Sequence, residues 1–231
     1  MGLSSEEWTA VTLTLRVALV ACLCALPVAI AVAYLLARRN FPGKALLDAL
    51  VYLPLVLPPV VTGYALLILF GRKGVIGAWL EQFGIVLAFR WTGAALAAAV
   101  MAFPLMVRAI RLAFESAETR LEQAASTLGA GPFWRFLTIT LPLAFPGILA
   151  GFILAFAKAL GEFGATITFV SNIPGETQTI ATAIYTLIDI PGGEARALRL
   201  AAVSLVISFL ALLASDVLSR REASGRRLSH D

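Results

Sequence analysis

Apolar segments long enough to cross a lipid bilayer occupy most of this chain of 231 residues. A membrane-spanning helix needs about 20 apolar residues, because the hydrocarbon core is about 30 Å thick. Five segments meet this requirement, at about 11–37, 46–70, 92–113, 139–170 and 198–218. Inside a bilayer the backbone has no water to bond with, so these segments must be helical. We therefore predict an all-α membrane protein with five transmembrane helices and one domain, 1–231.

The composition supports a membrane protein. Hydrophobic residues make up 60% of the chain and charged residues 14%, whereas a soluble domain has roughly half and a quarter. The net charge of +4 would fit a nucleic-acid-binding protein. However, the basic residues cluster at the ends of the apolar segments, as they do in membrane proteins. We therefore expect contacts with lipid and no nucleic-acid partner.

The positions of Lys and Arg predict the orientation, because these residues are enriched in cytoplasmic loops. With the N-terminus outside, eleven fall on the cytoplasmic side: Arg38, Arg39, Lys44, Arg108, Arg111, Arg120, Arg135, Arg220, Arg221, Arg226 and Arg227. The outer side then holds five: Arg72, Lys73, Arg90, Arg196 and Arg199. We predict an outer N-terminus, with segment 114–138 and the C-terminal tail 219–231 in the cytoplasm. Segments 75–90 and 171–197 are predicted to be non-spanning excursions on the outer side.

Residues 119–142 form a polar island between two apolar segments. One apolar stripe on a short helix is predicted by the spacing i, i+3, i+4 and i+7 of Leu121, Ala124, Ala125 and Leu128. Thr119 and Glu122 are spaced as a capping box, and Gly129 is placed to end the helix. An amphipathic helix on the lipid surface is the alternative, but such helices usually have polar faces rich in Lys and Arg. We therefore expect a rigid helix that another protein binds.

The polar island resembles the EAA signature of ABC importer permeases, which runs E-A-A, three residues, G, nine residues, I, one residue, L-P. The matching positions are Gln123, Ala124, Ala125, Gly129, Ile139, Leu141 and Pro142. Gln123 stands where glutamate is usual, so either Gln123 acts as a neutral hydrogen-bonding group or Glu122 takes over that role. The resemblance implies the type I ABC importer permease fold and a cytoplasmic coupling helix. This helix would dock on a separate ATPase subunit that holds ATP-Mg.

Two further stretches, 41–67 and 161–180, resemble the molybdate permease branch of this superfamily. The resemblance implies a multi-pass permease of the bacterial inner membrane that carries molybdate, and tungstate with it. The implied partners are a second copy of the permease, two ATPase subunits and a periplasmic molybdate-binding protein. Sulfate permeases are the nearest relatives of this branch, so a sulfate-type oxyanion permease is the alternative.

The chain lacks the residue patterns of an enzyme. It contains no G-x-x-x-x-G-K-[ST] phosphate loop, and its two Cys and one His do not form a metal-binding pattern. We therefore expect no catalytic residue, no metal and no cofactor on this chain. The energy for transport must then come from another subunit.

Two ionisable residues, Lys158 and Glu162, lie inside the fourth apolar segment, where an unpaired charge costs several kcal/mol. We favour a mutually neutralising pair that fixes helix packing. A charge in the translocation path is the alternative, although a bare Glu162 would repel a dianion. A proton-coupled secondary carrier is a different class of function, in which the two residues would relay protons.

The second apolar segment contains Pro54, Pro58 and Pro59, and each proline removes a backbone donor. We predict a kinked or broken helix that either lines a path or only alters packing. Neutral hydroxyls in the outer part of the fourth segment suit a dianion that must pass without being trapped. The candidate path residues are Pro58, Pro59, Thr62, Gly63, Thr166 and Thr168.

Overall fold

The computed structural model describes residues 2–117 and 119–227, with side chains as far as residue 213. All regular structure in this part of the chain is helical. The helices are α1 (Ser5–Arg38), α2 (Lys44–Val56), α3 (Pro59–Phe70), α4 (Val75–Glu81), α5 (Trp91–Ser116), α6 (Thr119–Thr127), α7 (Pro132–Arg135), α8 (Leu141–Leu160), α9 (Gly164–Val170), α10 (Ile180–Ile188) and α11 (Glu194–Arg227). A π-helical turn, Phe136–Thr140, joins α7 to α8.

Four helical stretches within the described residues are long and apolar enough to cross a membrane. They are Ser5–Arg38, Trp91–Ser116, Pro132–Leu160 and Glu194–Leu213. Helices α2 and α3 together provide a fifth stretch, which is bent by 115° between them. The break in the second predicted segment is therefore confirmed. The sequence predicts five spans, and the described residues provide four, or five when the bent pair is counted as one span.

The fourth predicted segment, 139–170, has different bounds in the structure. Its long helical stretch begins at Pro132 and ends at Leu160, and α9 is a separate short helix. Proline is favoured in the first turn of a helix, where no backbone donor is needed, which explains the early start. Residues 132–138, which the prediction placed in the coupling segment 114–138, are thus helical and continuous with α8.

Helical structure extends into the segment 219–231 that was predicted as a C-terminal tail. Helix α11 continues to Arg227, and residues 228–231 lie outside the described part of the chain. No proline interrupts the chain after 198–218, and Arg, Glu and Ala are good helix formers, so the helix continues past the apolar part.

Small side chains allow α5 to pack closely against α1 and α8. The buried face of α1 includes Ala18, Ala29 and Ala33, each fully shielded from solvent. A Cβ atom added at Gly147 of α8 would lie 2.2 Å from the Cβ of Ala113 on α5. In apolar lipid the hydrophobic effect does not drive helices together. The close approach of the two backbones stabilises their association instead, through van der Waals contacts.

The N-terminal end of α1 is tied to α10 and α11. The buried Glu7 carboxylate accepts a hydrogen bond from Arg199 at 2.8 Å. The Thr14 hydroxyl accepts one from the backbone N–H of Ile180, also at 2.8 Å. Ser4 caps α1 in a capping box with Glu7. These bonds place α10, which lies within the predicted excursion 171–197, at the same end of the protein as the N-terminus.

The α5–α8 contact predicts a strong effect of enlarging Gly147. Gly147→Val should lower the free energy of unfolding by about 1–3 kcal/mol, because the added atoms overlap Ala113 and overpacking costs about that much. The thermal midpoint of the detergent-purified protein measures the change. Gly161→Ala is the matched control, because a Cβ there meets nothing within 4 Å. Equal midpoints for the two variants would contradict the close contact.

Candidate functional site

Helix α6 occupies the polar island, as predicted, and none of its residues is buried. Its apolar stripe is open: Leu121 is 50% exposed and Leu128 is 88% exposed. Gly129 ends the helix at φ +84°, and the N–H of Ala130 donates back to the carbonyl of Ala125 at 3.0 Å. A short helix with a defined end therefore presents apolar side chains that its own chain does not cover.

The start of α6 differs from the predicted capping box. The helix begins at Thr119 itself, so Thr119 is not its N-cap residue. The Glu122 carboxylate accepts instead from the Arg38 Nη2 at 3.2 Å and from the Thr140 hydroxyl at 2.9 Å. These donors attract the carboxylate more strongly than a backbone N–H does, because Arg38 is charged.

Glu122 is therefore engaged within its own chain, and Gln123 beside it is exposed. Of the two residues named in the alternatives drawn from the sequence, Gln123 is therefore the one with the more exposed side chain. A neutral amide at this position donates and accepts hydrogen bonds without requiring an opposite charge.

An apolar groove lies beside α6. It has a volume of about 450 Å³ and is lined by Leu121, Thr138, Ile139, Pro142 and Leu143. Ile139 and Pro142 of the signature thus meet Leu121 of the stripe at one surface. Leu141, the third signature residue here, instead packs against the apolar core.

Two aromatic residues next to α6 were not among the predicted coupling residues. Phe133 is 74% exposed and Trp134 is 64% exposed. Both lie in α7, before the π-helical turn, and add exposed apolar surface to this part of the chain. Their position inside an otherwise polar island was the available signal, because exposed aromatic residues mark binding surfaces or membrane interfaces.

The candidate path residues lie at two helix breaks that contact each other. Pro58 and Pro59 are exposed at the bend between α2 and α3. A Cβ at Gly63 would lie 2.5 Å from the carbonyl oxygen of Ala165 on α9. Thr62 and Thr166 are buried, and the Thr168 hydroxyl donates to the Gly164 carbonyl at 2.8 Å. Within one chain these residues hold α3 against α9, and their role in a path stays a prediction.

Lys158 and Glu162 form an ion pair at the break that follows α8. The Lys158 Nζ lies 2.8 Å from the Glu162 Oε2, and Glu162 is 3% exposed. The other carboxylate oxygen accepts from the backbone N–H of Ala165 at 3.1 Å, in the first turn of α9. Glu162 lies beyond the end of α8, so the pair joins two helices and does not run along one helix face.

The comparisons with known proteins place the chain in a family. Residues 25–224 match the model of the binding-protein-dependent transport system inner membrane component. A relative in Escherichia coli, named molybdenum transport system permease protein ModB, is 60% identical over 98% of this chain and 100% of its own length. The sulfate transport system permease protein CysT of the same organism is 38% identical over 85% of this chain and 70% of its own length.

One solved structure shares the fold across most of the chain. It is a bacterial ABC transporter involved in the import of the acidic polysaccharide alginate, with a TM-score of 0.72 and 20% identity. The match covers 94% of this chain and 80% of the other. The chain therefore belongs to the family of binding-protein-dependent inner membrane permeases, which confirms the class of transporter subunit predicted from the sequence.

The ion pair between Lys158 and Glu162 predicts non-additive mutational effects. Lys158→Met leaves the buried Glu162 charge unpaired, which should cost about 3 kcal/mol of unfolding free energy. The double variant K158M/E162Q should be more stable than K158M, because the unpaired charge is gone. Thermal unfolding in detergent measures both changes.

A control is provided by the exposed pair of Arg72 and Glu81, whose charged atoms are 4.0 Å apart. Glu81→Gln should change stability by less than about 1 kcal/mol. A double variant no more stable than K158M would contradict the pairing.

Proposed function

We propose that this protein is the permease subunit of an ABC importer for molybdate, with tungstate as a further substrate. Two copies form the translocation unit in a bacterial inner membrane. The N-terminus lies outside, and α6 lies in the cytoplasm as the coupling helix. Two ATPase subunits bind there, and a periplasmic molybdate-binding protein delivers the substrate at the outer end.

The observation that carries the proposal is the exposed apolar stripe of α6 in a chain 60% identical to a molybdenum permease over its whole length. The identity to a sulfate permease is 38%, so molybdate is favoured over the sulfate-type alternative. Both substrates are tetrahedral dianions of similar chemistry, so discrimination between them falls mainly to the binding protein.

The geometry of α6 supports docking on an ATPase. An amphipathic helix binds a groove through residues at i, i+3, i+4 and i+7. Leu121 and Leu128 occupy the ends of such a stripe, and the adjacent groove and aromatic residues widen the surface. Energy from ATP-Mg on the partner then enters this chain as movement of a rigid helix.

The pairing of Lys158 with Glu162 supports passage of a dianion. An unpaired buried carboxylate would repel molybdate, whereas a neutralised pair presents no net charge. The secondary-carrier alternative is disfavoured because residues 25–224 match the binding-protein-dependent transport family.

Uptake by reconstituted transporter tests the substrate and the energy source. Proteoliposomes that contain the permease and its ATPase, with the binding protein added, should accumulate labelled molybdate only when ATP is present on the ATPase side. Unlabelled tungstate should compete at similar concentration, and sulfate should require an excess of roughly 100-fold or more.

A proton ionophore separates the two classes of transporter. Uptake that survives without ATP but stops with the ionophore would establish a secondary carrier and reject the proposal. Equal competition by sulfate and molybdate would support the sulfate-type alternative.

The apolar stripe predicts a docking defect for Leu128→Asp. A charge on this exposed leucine should weaken ATPase binding by roughly tenfold or more, because the carboxylate would lose water in an apolar groove. Co-purification with the ATPase and titration of its activity measure the loss. Ser126→Asp adds the same charge to the polar face of α6 and should leave binding within about twofold. Equal losses in the two variants would show that the stripe is not the contact.

A further inference from the structure

Helix α6 has no buried residue, although the proposed function requires it to move transmembrane helices. Apolar packing within the chain therefore does not hold it firmly. We infer that the Glu122 carboxylate is a positioning group that fastens α6 to the inner ends of α1 and α8. We call its bonds to Arg38 and Thr140 the Glu122 clamp. This inference rests on the proposed function and states how movement of the docked α6 reaches α1 and α8.

The clamp reaches α1 through Arg38, which is the last residue of that helix. Its Nη2 atom donates to Glu122 Oε1 at 3.2 Å and to the Ala117 carbonyl, just before α6, at 3.3 Å. The side chains of Arg38 and Glu122 are only 14% and 21% exposed. Water screens this pair less than it screens a surface pair, so the bond is stiffer.

The clamp reaches α8 through Thr140, which directly precedes Leu141 at the start of that helix. Thr140 is 1% exposed, and its hydroxyl donates to the same Glu122 Oε1 at 2.9 Å. The Arg135 Nη1 also donates to the backbone carbonyl of Glu122, at 3.5 Å. One residue of α6 thus holds donors from two helices that cross the membrane.

Neighbouring residues of α6 then have separate tasks. Gln123 and the apolar stripe are exposed to a partner, whereas Glu122 is bonded inside the chain. Removal of the carboxylate should leave the docking surface in place but loosen its connection to α1 and α8. The ATPase would still bind and hydrolyse ATP, and less of that hydrolysis would produce transport.

The test compares ATP hydrolysis and molybdate uptake in the same proteoliposomes. Glu122→Gln should lower the molybdate transported per ATP by roughly tenfold. The hydrogen bonds of a charged carboxylate are strong enough for their loss to have an effect of this size. Thr140→Val removes one donor and should lower the ratio less, whereas Thr140→Ser keeps the hydroxyl and should retain the ratio. Co-purification of the ATPase should be unchanged in all of these variants.

Glu115→Gln is the matched control, because this exposed carboxylate pairs with Arg111 at 2.8 Å within α5 and does not contact α6. It should keep the wild-type ratio. A charge swap, R38E/E122R, should recover part of the ratio that each single variant loses. Such rescue would not be expected if Glu122 only supported the fold.

Several results would overturn the inference. A Glu122→Gln ratio within twofold of the wild type would do so, and so would loss of ATPase binding at an unchanged ratio. If Glu122→Gln does not fold, Thr140→Val against Thr140→Ser decides, and equal ratios there would reject the clamp. A wild-type protein without ATP-driven uptake would instead reject the proposed function.

Discussion

Close packing of small residues between α1, α5 and α8 is the constraint on which the remaining structure depends. In lipid, helices associate through van der Waals contact, and alanine and glycine let their backbones approach. The alanine-lined face of α1 and Gly147 of α8 bring both helices onto α5. This packing brings the Arg38 end of α1 and the Thr140 end of α8 close enough to share the Glu122 carboxylate.

The second constraint is the contact between two broken helices. The bend before α3 and the break before α9 place Gly63 against Ala165 and Gly164 against Pro59. Non-helical backbone at membrane depth is tolerated where protein buries it or where it lines a cavity. The buried Glu162, which lies between α8 and α9, shows that this chain buries part of it. Pro58 and Pro59, at the bend itself, stay exposed in the single chain.

Much of the fold could be predicted from the sequence, because length and hydropathy are local properties. The stripe and Gly129 were enough to place α6. Prolines were less informative: Pro27, Pro104 and Pro146 lie inside helices, whereas Pro58-Pro59 breaks one. Two successive prolines remove two donors and hold Leu57 in extended backbone, with φ −71° and ψ 142°. The hydrogen bond between Arg38 and Glu122 could not be predicted from the sequence, because the two residues are 84 positions apart in the chain.

Helix α1 is fastened at both of its ends. At one end Glu7 and Thr14 bond to α11 and α10, and at the other end Arg38 bonds to α6. Its 34 residues make a rod about 51 Å long. A binding event that shifts either end therefore changes the free energy of binding at the other, and such coupling is equal in both directions. In the proposed importer, the factor by which a docked binding protein strengthens ATPase binding therefore equals the factor by which the ATPase strengthens docking of the binding protein.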